Sequence, residues 1–427
     1  MPSFLSSVST LLRGSLLAQL IGFAALPVLS RLYAPSEFGA LQALMSVLTV
    51  LLILSSLRLE VALMTAPDSE LAELLRVAIW VNLLTATAVA APTAAIVLTS
   101  TDWQMHHRIA VGLLPAVGLV AGYLQLLNYL GLRKGDFGTV SNAKVVQSAA
   151  YASGAAGLGI VKASSVSLLL ADMVARVAAT AFISHRLRVK FRDVARPPKW
   201  GVVSRQLRAH RSLVTTSLIA ALVNSAGSSF TAVMLIWLFS AADAGQYAMV
   251  ERFIGLPVGL IAGAGSQVFM SHLAHHLSQR RGADALREYR RIVLTYSACA
   301  ILPMGALFVL APSLMPLVLG PQWKDAGLYA QALVPLYLLA FAVGPVNMTL
   351  TVLGRQRLQL GWDAGRLAAM ASMWWVVSAS GISVLSALWC YSTVACAGYL
   401  VYLLLADMAL RTHAASITRG RNDDHGG

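Results

Sequence analysis

The residues of this sequence most able to do chemistry are ionisable side chains set in stretches otherwise built of Leu, Val, Ala and Ile. They are Arg58 with Glu60, Asp172 with Arg176, Glu251 with Arg252, and Asp363 with Arg366. In a hydrocarbon environment each charge costs on the order of 3 kcal/mol unless it is paired or wetted. Guanidinium groups so placed bind anions, and buried carboxylates bind a proton or a metal cation. Asp172 and Arg176 are four apart, so one helix face can pair them. Arg58 and Glu60 are two apart, which on a continuous helix directs them to different sides. Glu251/Arg252 and Asp363/Arg366 each open a helix, where anchoring at the membrane interface is the competing reading.

Polar residues recur at helical spacing around these charges. Lys144, Gln147, Ser148 and Tyr151 form one face, and Ser217, Asn224, Ser228 and Thr231 another. A stripe of this kind facing lipid is unfavourable, so both are expected to face protein or water. Lys144, Gln147 and Asn224 weigh most, since Ser and Thr often bond only their own helix carbonyls. Gly255, Gly259 and Gly263 recur every four residues beside Pro257, a pattern that suits close helix packing or a hinge. Pro27 and Pro345 can bend their helices likewise. His272, His275 and His276 lie in a basic connection without a neighbouring carboxylate cluster, which reads as a solvated helix face and not a metal site. Cys299, Cys390 and Cys396 lack metal or disulfide spacing and read as small residues packed between helices. No phosphate-binding glycine loop, zinc motif or nucleophile elbow is present, so neither ATP hydrolysis nor another enzymatic reaction is expected and no cofactor is implied.

The elements that must position these residues are membrane helices. The chain has 427 residues, 57% hydrophobic and only 12% charged, with a mean hydropathy of +0.70; a soluble chain carries about 25% charged residues. Windows of about twenty residues predict an all-α polytopic membrane protein of about twelve spans: 9–31, 38–65, 74–99, 108–131, 139–160, 165–185, 212–239, 245–270, 291–319, 327–353, 360–382 and 385–408. The first apolar stretch has no clear cleavage site and reads as a retained helix. With the N-terminus in the cytoplasm, 25 of the 32 Lys and Arg residues fall on the cytoplasmic side. That bias is the positive-inside signature, and it puts both termini in the cytoplasm. The net charge of +14 is thereby explained by topology and does not call for nucleic acid.

The one long polar connection, 186–211 with Pro197-Pro198, divides the spans into two sets of six, giving an N-terminal lobe 1–195 and a C-terminal lobe 196–427 with a cytoplasmic tail. The junctions after the first helix of each half echo one another. Leu32-Tyr33-Ala34-Pro35-Ser36-Glu37-Phe38-Gly39 lies over Leu238-Phe239-Ser240-Ala241-Ala242-Asp243-Ala244-Gly245 without a gap. Six spans per half give both halves one orientation, as in parallel-repeat transporters.

The stretches Gly14–Phe23, Ser30–Gly39 and Leu57-Arg58-Leu59-Glu60-Val61-Ala62, with Gly354–Leu360 later, resemble the polysaccharide-flippase family. This is the Wzx-type O-antigen and capsule exporter branch of the multidrug/oligosaccharidyl-lipid/polysaccharide exporter superfamily. Leu59 departs from the aromatic common at that place. The resemblance implies two six-helix lobes around a central cavity, alternating access, and a polyprenyl-diphosphate-linked oligosaccharide as substrate in the bacterial inner membrane. Membrane lipid and polysaccharide-assembly proteins are the other partners it implies. In the family, cavity-lining cations attract the diphosphate, and the matching positions here are Arg58 and Arg31. Placement in the spans adds Lys144, Arg176 and Arg252 as diphosphate ligands and Glu60, Asp172 and Glu251 as carboxylates for a coupling cation. Gln147 and Asn224 are expected to line the cavity, and Pro257, Gly255 and Gly259 to form a hinge. The alternatives are a cation-coupled multidrug antiporter, for which an acidic cavity is expected, a lipid II flippase, for which two extra helices are expected, and a membrane polymerase or ligase, for which a large outward loop is expected.

Overall fold

The computed structural model describes residues 4–99, 105–189, 196–279 and 281–423, and among these no residue lies in a strand. The chain forms two compact units, Met1–Gly245 and Gln246–Gly427. The boundary thus falls 34 residues beyond the 186–211 connection, inside a helix, because the seventh predicted span packs against the second.

The first unit contains α1 (Phe4–Leu32), α2 (Pro35–Ser56), α3 (Leu59–Thr65), α4 (Asp68–Thr99), α5 (Met105–Arg133), α6 (Phe137–Val161), α7 (Ser165–Arg186), α8 (Trp200–Ala209) and α9 (Leu218–Leu238). A π-helical turn, Leu213–Ser217, precedes α9. The helix α10 (Ala241–Val250) crosses the boundary. The second unit holds a second π-helical turn at Glu251–Gly255, then α11 (Leu256–Ser278), α12 (Gly282–Leu319), α13 (Lys324–Val343), the short α14 (Thr349–Val352), α15 (Gln356–Ser380) and α16 (Val384–Asp423).

Each predicted span has a helical counterpart in this order. Among the described residues nine helical stretches are long and apolar enough to cross a membrane, from Arg13–Leu32 to Val384–Ala415. The counterparts outside that set are α6, α9 and α15, which carry the polar stripes and the Asp363/Arg366 pair. Large apolar side chains point outward, Leu302 at 80% and Leu317 at 75% exposure among them, as suits a surface bathed in lipid tails. Cys299 and Cys390 are also exposed, so they face outward and do not pack between helices. The hydroxyl-rich stretch 378–386 is a real break. Gly381 takes the left-handed conformation at φ +59, and the Ser383 hydroxyl accepts the Ser386 amide at 3.3 Å to start α16.

Serines and glycines bring the helices of the first unit together. Ser141 donates to the Thr10 carbonyl at 2.9 Å and Ser148 to the Ala18 carbonyl at 2.5 Å, so α6 lies directly along α1. Gly14 permits that approach, since a Cβ there would fall on Ser141. At the base of α3, Arg133 donates to the carbonyls of Met64 and Ala66, each at 2.8 Å, and pairs with Asp68 at 3.0 Å. It thereby serves carbonyls that a helix end leaves without partners.

The two echoed junctions meet one another. A Cβ on Gly39 would strike the Ala241 carbonyl oxygen, and a Cβ on Gly245 would strike that of Pro35. The contact is reciprocal, as expected where like segments pack about a pseudo-twofold axis. The acids of the two motifs have different partners. Asp243 and Ser240 cap one another, with the Ser240 hydroxyl donating at 2.6 Å and accepting the Asp243 amide at 3.1 Å. Glu37 instead accepts the Ser165 amide at 2.5 Å, at the start of α7.

This packing predicts opposite outcomes for one substitution at two sites. Gly39→Ala overpacks backbone against backbone and destabilises by about 1–3 kcal/mol. Gly157→Ala, where a Cβ meets nothing within 4 Å, gains about 0.5–1 kcal/mol from the helix interior. Thermal unfolding of the detergent-purified chain reads both signs.

Candidate functional site

In the first unit Arg58 and Glu60 lie at a helix break. Leu57 and Arg58 both adopt left-handed backbone, at φ 49 and φ 66, a conformation that costs a non-glycine residue on the order of 1–3 kcal/mol. The predicted span 38–65 is therefore two helices, α2 and α3. The turn between them brings Arg58 onto Glu60, with Nη1 3.3 Å from Oε1. The expectation that these residues diverge fails for this reason: it assumed an unbroken helix. Glu60 is fully buried, and its other oxygen accepts the Ser56 hydroxyl. Arg58 also donates through Nε to Ser217 Oγ at 3.4 Å, at the last residue of the first π-helical turn.

Arg176 and Asp172 pair along α7 as their spacing allows, Nε to Oδ2 at 2.6 Å. Lys144 donates to Ser15 Oγ at 3.0 Å, and Arg31 to the carbonyl of Pro27 at 2.8 Å. Gln147 lies half-buried on the same helix as Lys144. Asn224 belongs to α9, and its side chain lies outside the described residues. Arg58, Arg176, Lys144 and Arg31 thus each engage a separate local partner. For Arg58 and Arg176 that partner is a carboxylate in contact.

The second unit holds a half-open cavity of about 370 Å³. Glu251 lies at its wall, accepting hydroxyl hydrogen bonds from Tyr337 at 2.5 Å and Tyr247 at 3.1 Å. Glu251 opens the π-helical turn 251–255, and Pro257 follows in the first turn of α11. A π turn inserts one residue into the helical register and often marks a functional position. Gly255 leaves room for the carboxylate, since a Cβ there would press on Glu251 Oε2 and the Tyr337 ring. Gly259 and Gly263 line the same cavity, and a Cβ on either meets nothing within 4 Å. The glycine stripe therefore borders space and does not seat a neighbouring helix. Arg252 is half-buried in the same π turn.

Tyr391, Tyr399 and Asn347 are cavity residues that the sequence did not pick out; Arg366, beside them, it did. Arg366, read there as equally suited to a helix-end anchor, lines the cavity with Tyr391, Tyr399 and Asn347. Its guanidinium stacks on the Trp362 ring, 4.9 Å from the centroid, and reaches Asp363 only at 4.0 Å. Asn347 accepts from Ser266 at 3.1 Å, next to the turn Gly344–Val346 that interrupts the tenth span. A tyrosine hydroxyl in an apolar run gives no periodic signal. The Pro345 break and the mid-span arginine are the signals that point here.

His272 and His275 are exposed, as a solvated helix face requires, while His276 is half-buried. His272 Nδ1 lies 2.7 Å from Glu288 Oε1 and His276 Nε2 lies 2.8 Å from Oε2, tying α11 to α12.

The chain matches a family model described as "Polysaccharide biosynthesis protein" over residues 28–327. No curated protein matches it. Its fold is similar to a solved structure described as the inward-facing conformation of a multidrug resistance MATE family transporter of the MOP superfamily, with a TM-score of 0.73 and 14% identity, covering 94% of this chain and 96% of that one. It is also similar to the lipid II flippase MurJ in an inward closed conformation, with a TM-score of 0.70 and 11% identity, covering 95% of this chain and 90% of that one. The match over most of its length, on the all-helical fold just described, places the chain in the polysaccharide biosynthesis protein family.

Proposed function

We propose that this chain is a flippase that moves polyprenyl-diphosphate-linked oligosaccharide units from the cytoplasmic to the periplasmic leaflet of the bacterial inner membrane by alternating access. The observation that carries the reading is the set of guanidinium and hydroxyl groups held at helix breaks within the spans, in a member of a polysaccharide biosynthesis family. A sugar diphosphate cannot enter hydrocarbon without losing its hydration. Fixed cations and hydroxyls replace that water, while the polyprenyl tail stays among lipid chains.

Arg58 and Arg252 are the principal diphosphate ligands in this proposal, with Lys144, Arg176 and Arg31 assisting. Because Arg58 rests on Glu60 and Arg176 on Asp172, an arriving diphosphate competes with a carboxylate for each guanidinium. The displaced carboxylate then becomes a site for a proton or a sodium ion, which links substrate entry to cation binding. Glu251, bound by two tyrosine hydroxyls, is a third candidate for that role. The change of helical geometry at 251–255, with Gly255, Pro257 and Gly259 around it, supplies a hinge.

Replacing Arg58 and Arg252 together with alanine is expected to lower translocation of a fluorescent polyprenyl-diphosphate-linked oligosaccharide into vesicles by at least ten-fold. Wild-type transport by the double variant sinks the assignment. A multidrug antiporter would instead show counterflow of a cationic dye.

Glu251→Ala leaves the Tyr247 and Tyr337 hydroxyls without their acceptor and lowers stability by about 1–3 kcal/mol. Glu251→Gln retains an acceptor and most of that stability, yet loses cation dependence of transport. Gly259→Leu places a side chain in the cavity and is expected to inhibit transport several-fold with the melting temperature unchanged. Transport and thermal unfolding measured side by side separate these outcomes.

A further inference from the structure

The ten residues of α8 have no part in the sites above, and their two faces differ. Val202, Val203 and Leu207 pack against the core of the first unit, and Gln206 is buried with Nε2 3.3 Å from Glu70 Oε2. Arg205 pairs with Glu73 at 2.5 Å. Glu70 and Glu73 lie in the first two turns of Asp68–Thr99, one of the membrane-crossing stretches. The helix therefore docks at the end of a span. Four residues after it ends, the π-helical turn leads into α9.

The other face is basic and open. Arg208 is exposed on the helix, Lys199 and Arg211 are exposed just before and just after it, and Trp200 is 79% exposed. Among the described residues no carboxylate pairs with Arg208 or Arg211. Arg208 is held along the helix by two hydrogen bonds to Ser204 Oγ, at 3.1 and 2.5 Å. Trp200, Gly201, Ser204, Arg205 and Arg208 border a cavity of about 410 Å³, room for a phosphate-bearing headgroup and its water at roughly 30 Å³ per water molecule.

We infer that α8 is a membrane-surface helix whose outer face binds the headgroups of anionic phospholipids. Its apolar side is anchored to protein, so the outward face is the one offered to the membrane interface. Tryptophan and arginine at the end of a span suit the headgroup level, the ring for its amphipathic character and the guanidinium for its charge. Charge selects the lipid class. A Lys or Arg near an acidic bilayer surface strengthens binding by about five-fold each, an advantage a zwitterionic headgroup does not give.

The test uses the full chain in detergent and measures equilibrium binding of fluorescently labelled phosphatidylglycerol and phosphatidylcholine. Wild type is expected to prefer phosphatidylglycerol by at least ten-fold at low salt, and the preference to shrink as salt rises. Arg208→Gln/Arg211→Gln is expected to reduce the preference at least five-fold, whereas Arg355→Gln/Arg357→Gln, at two exposed arginines elsewhere, leaves it intact. If the double variant does not fold, Arg211→Gln alone is expected to reduce the preference at least two-fold. Equal binding of the two lipids by wild type overturns the inference. So does an unchanged preference in a folded Arg208 or Arg211 variant, or an equal loss in the control pair. Displacement of labelled phosphatidylglycerol by inorganic pyrophosphate as readily as by the unlabelled lipid also overturns it, since the face would then be a site for soluble phosphate.

Discussion

A charged or hydrogen-bonding group placed among lipid tails has no water to fall back on, and the structure is organised by that constraint. Every mid-span carboxylate with a described partner is answered from within the chain. Arg58 and Ser56 answer Glu60, Arg176 answers Asp172, and two tyrosines answer Glu251. The hydroxyls of Ser141 and Ser148 answer carbonyls of the neighbouring helix, and Arg133 answers the free end of α3. These pairings make the charges tolerable, and an incoming anion or cation has to compete with them.

The polar groups gather where helices are interrupted. Arg58 sits in the left-handed break between α2 and α3, and Ser217 at the end of one π turn. Glu251 opens the other π turn, and Asn347 follows the short turn in the tenth span. An interruption releases backbone groups from the helical ladder and re-aims side chains that a straight helix would scatter. The left-handed backbone at Leu57 and Arg58 is unfavourable locally. The Arg58–Glu60–Ser56 contacts that the break permits offset it.

Glycine serves two opposite ends in this fold. At Gly39 and Gly245 its missing Cβ lets two chain segments touch through their backbones. At Gly259 and Gly263 the same absence preserves a cavity within the second unit. The first pair fixes a junction in place, and the second keeps space beside a buried carboxylate.

The order of the helices, nine stretches of them long and apolar enough among the described residues to cross a membrane, and the echoed junctions were legible in the residues, because hydrocarbon imposes length and composition on each helix separately. The Asp172/Arg176 pair was legible too, since i,i+4 geometry is local. What lay beyond reach depends on breaks and on distant chain. No residue type announces left-handed backbone at Leu57 and Arg58, so the pairing of Arg58 with Glu60 could not be read. Tyr337 reaches Glu251 and Glu288 reaches His272 only through helix packing. The seventh span joins the first unit for the same reason, its partner being the second helix and not its neighbours in sequence. Sequence alone determined which segments are apolar and long enough to enter a membrane, since that follows from transfer energies summed along one helix. Tertiary structure decided which buried charges are neutralised and which glycines border empty space, because both depend on atoms brought close from elsewhere in the chain.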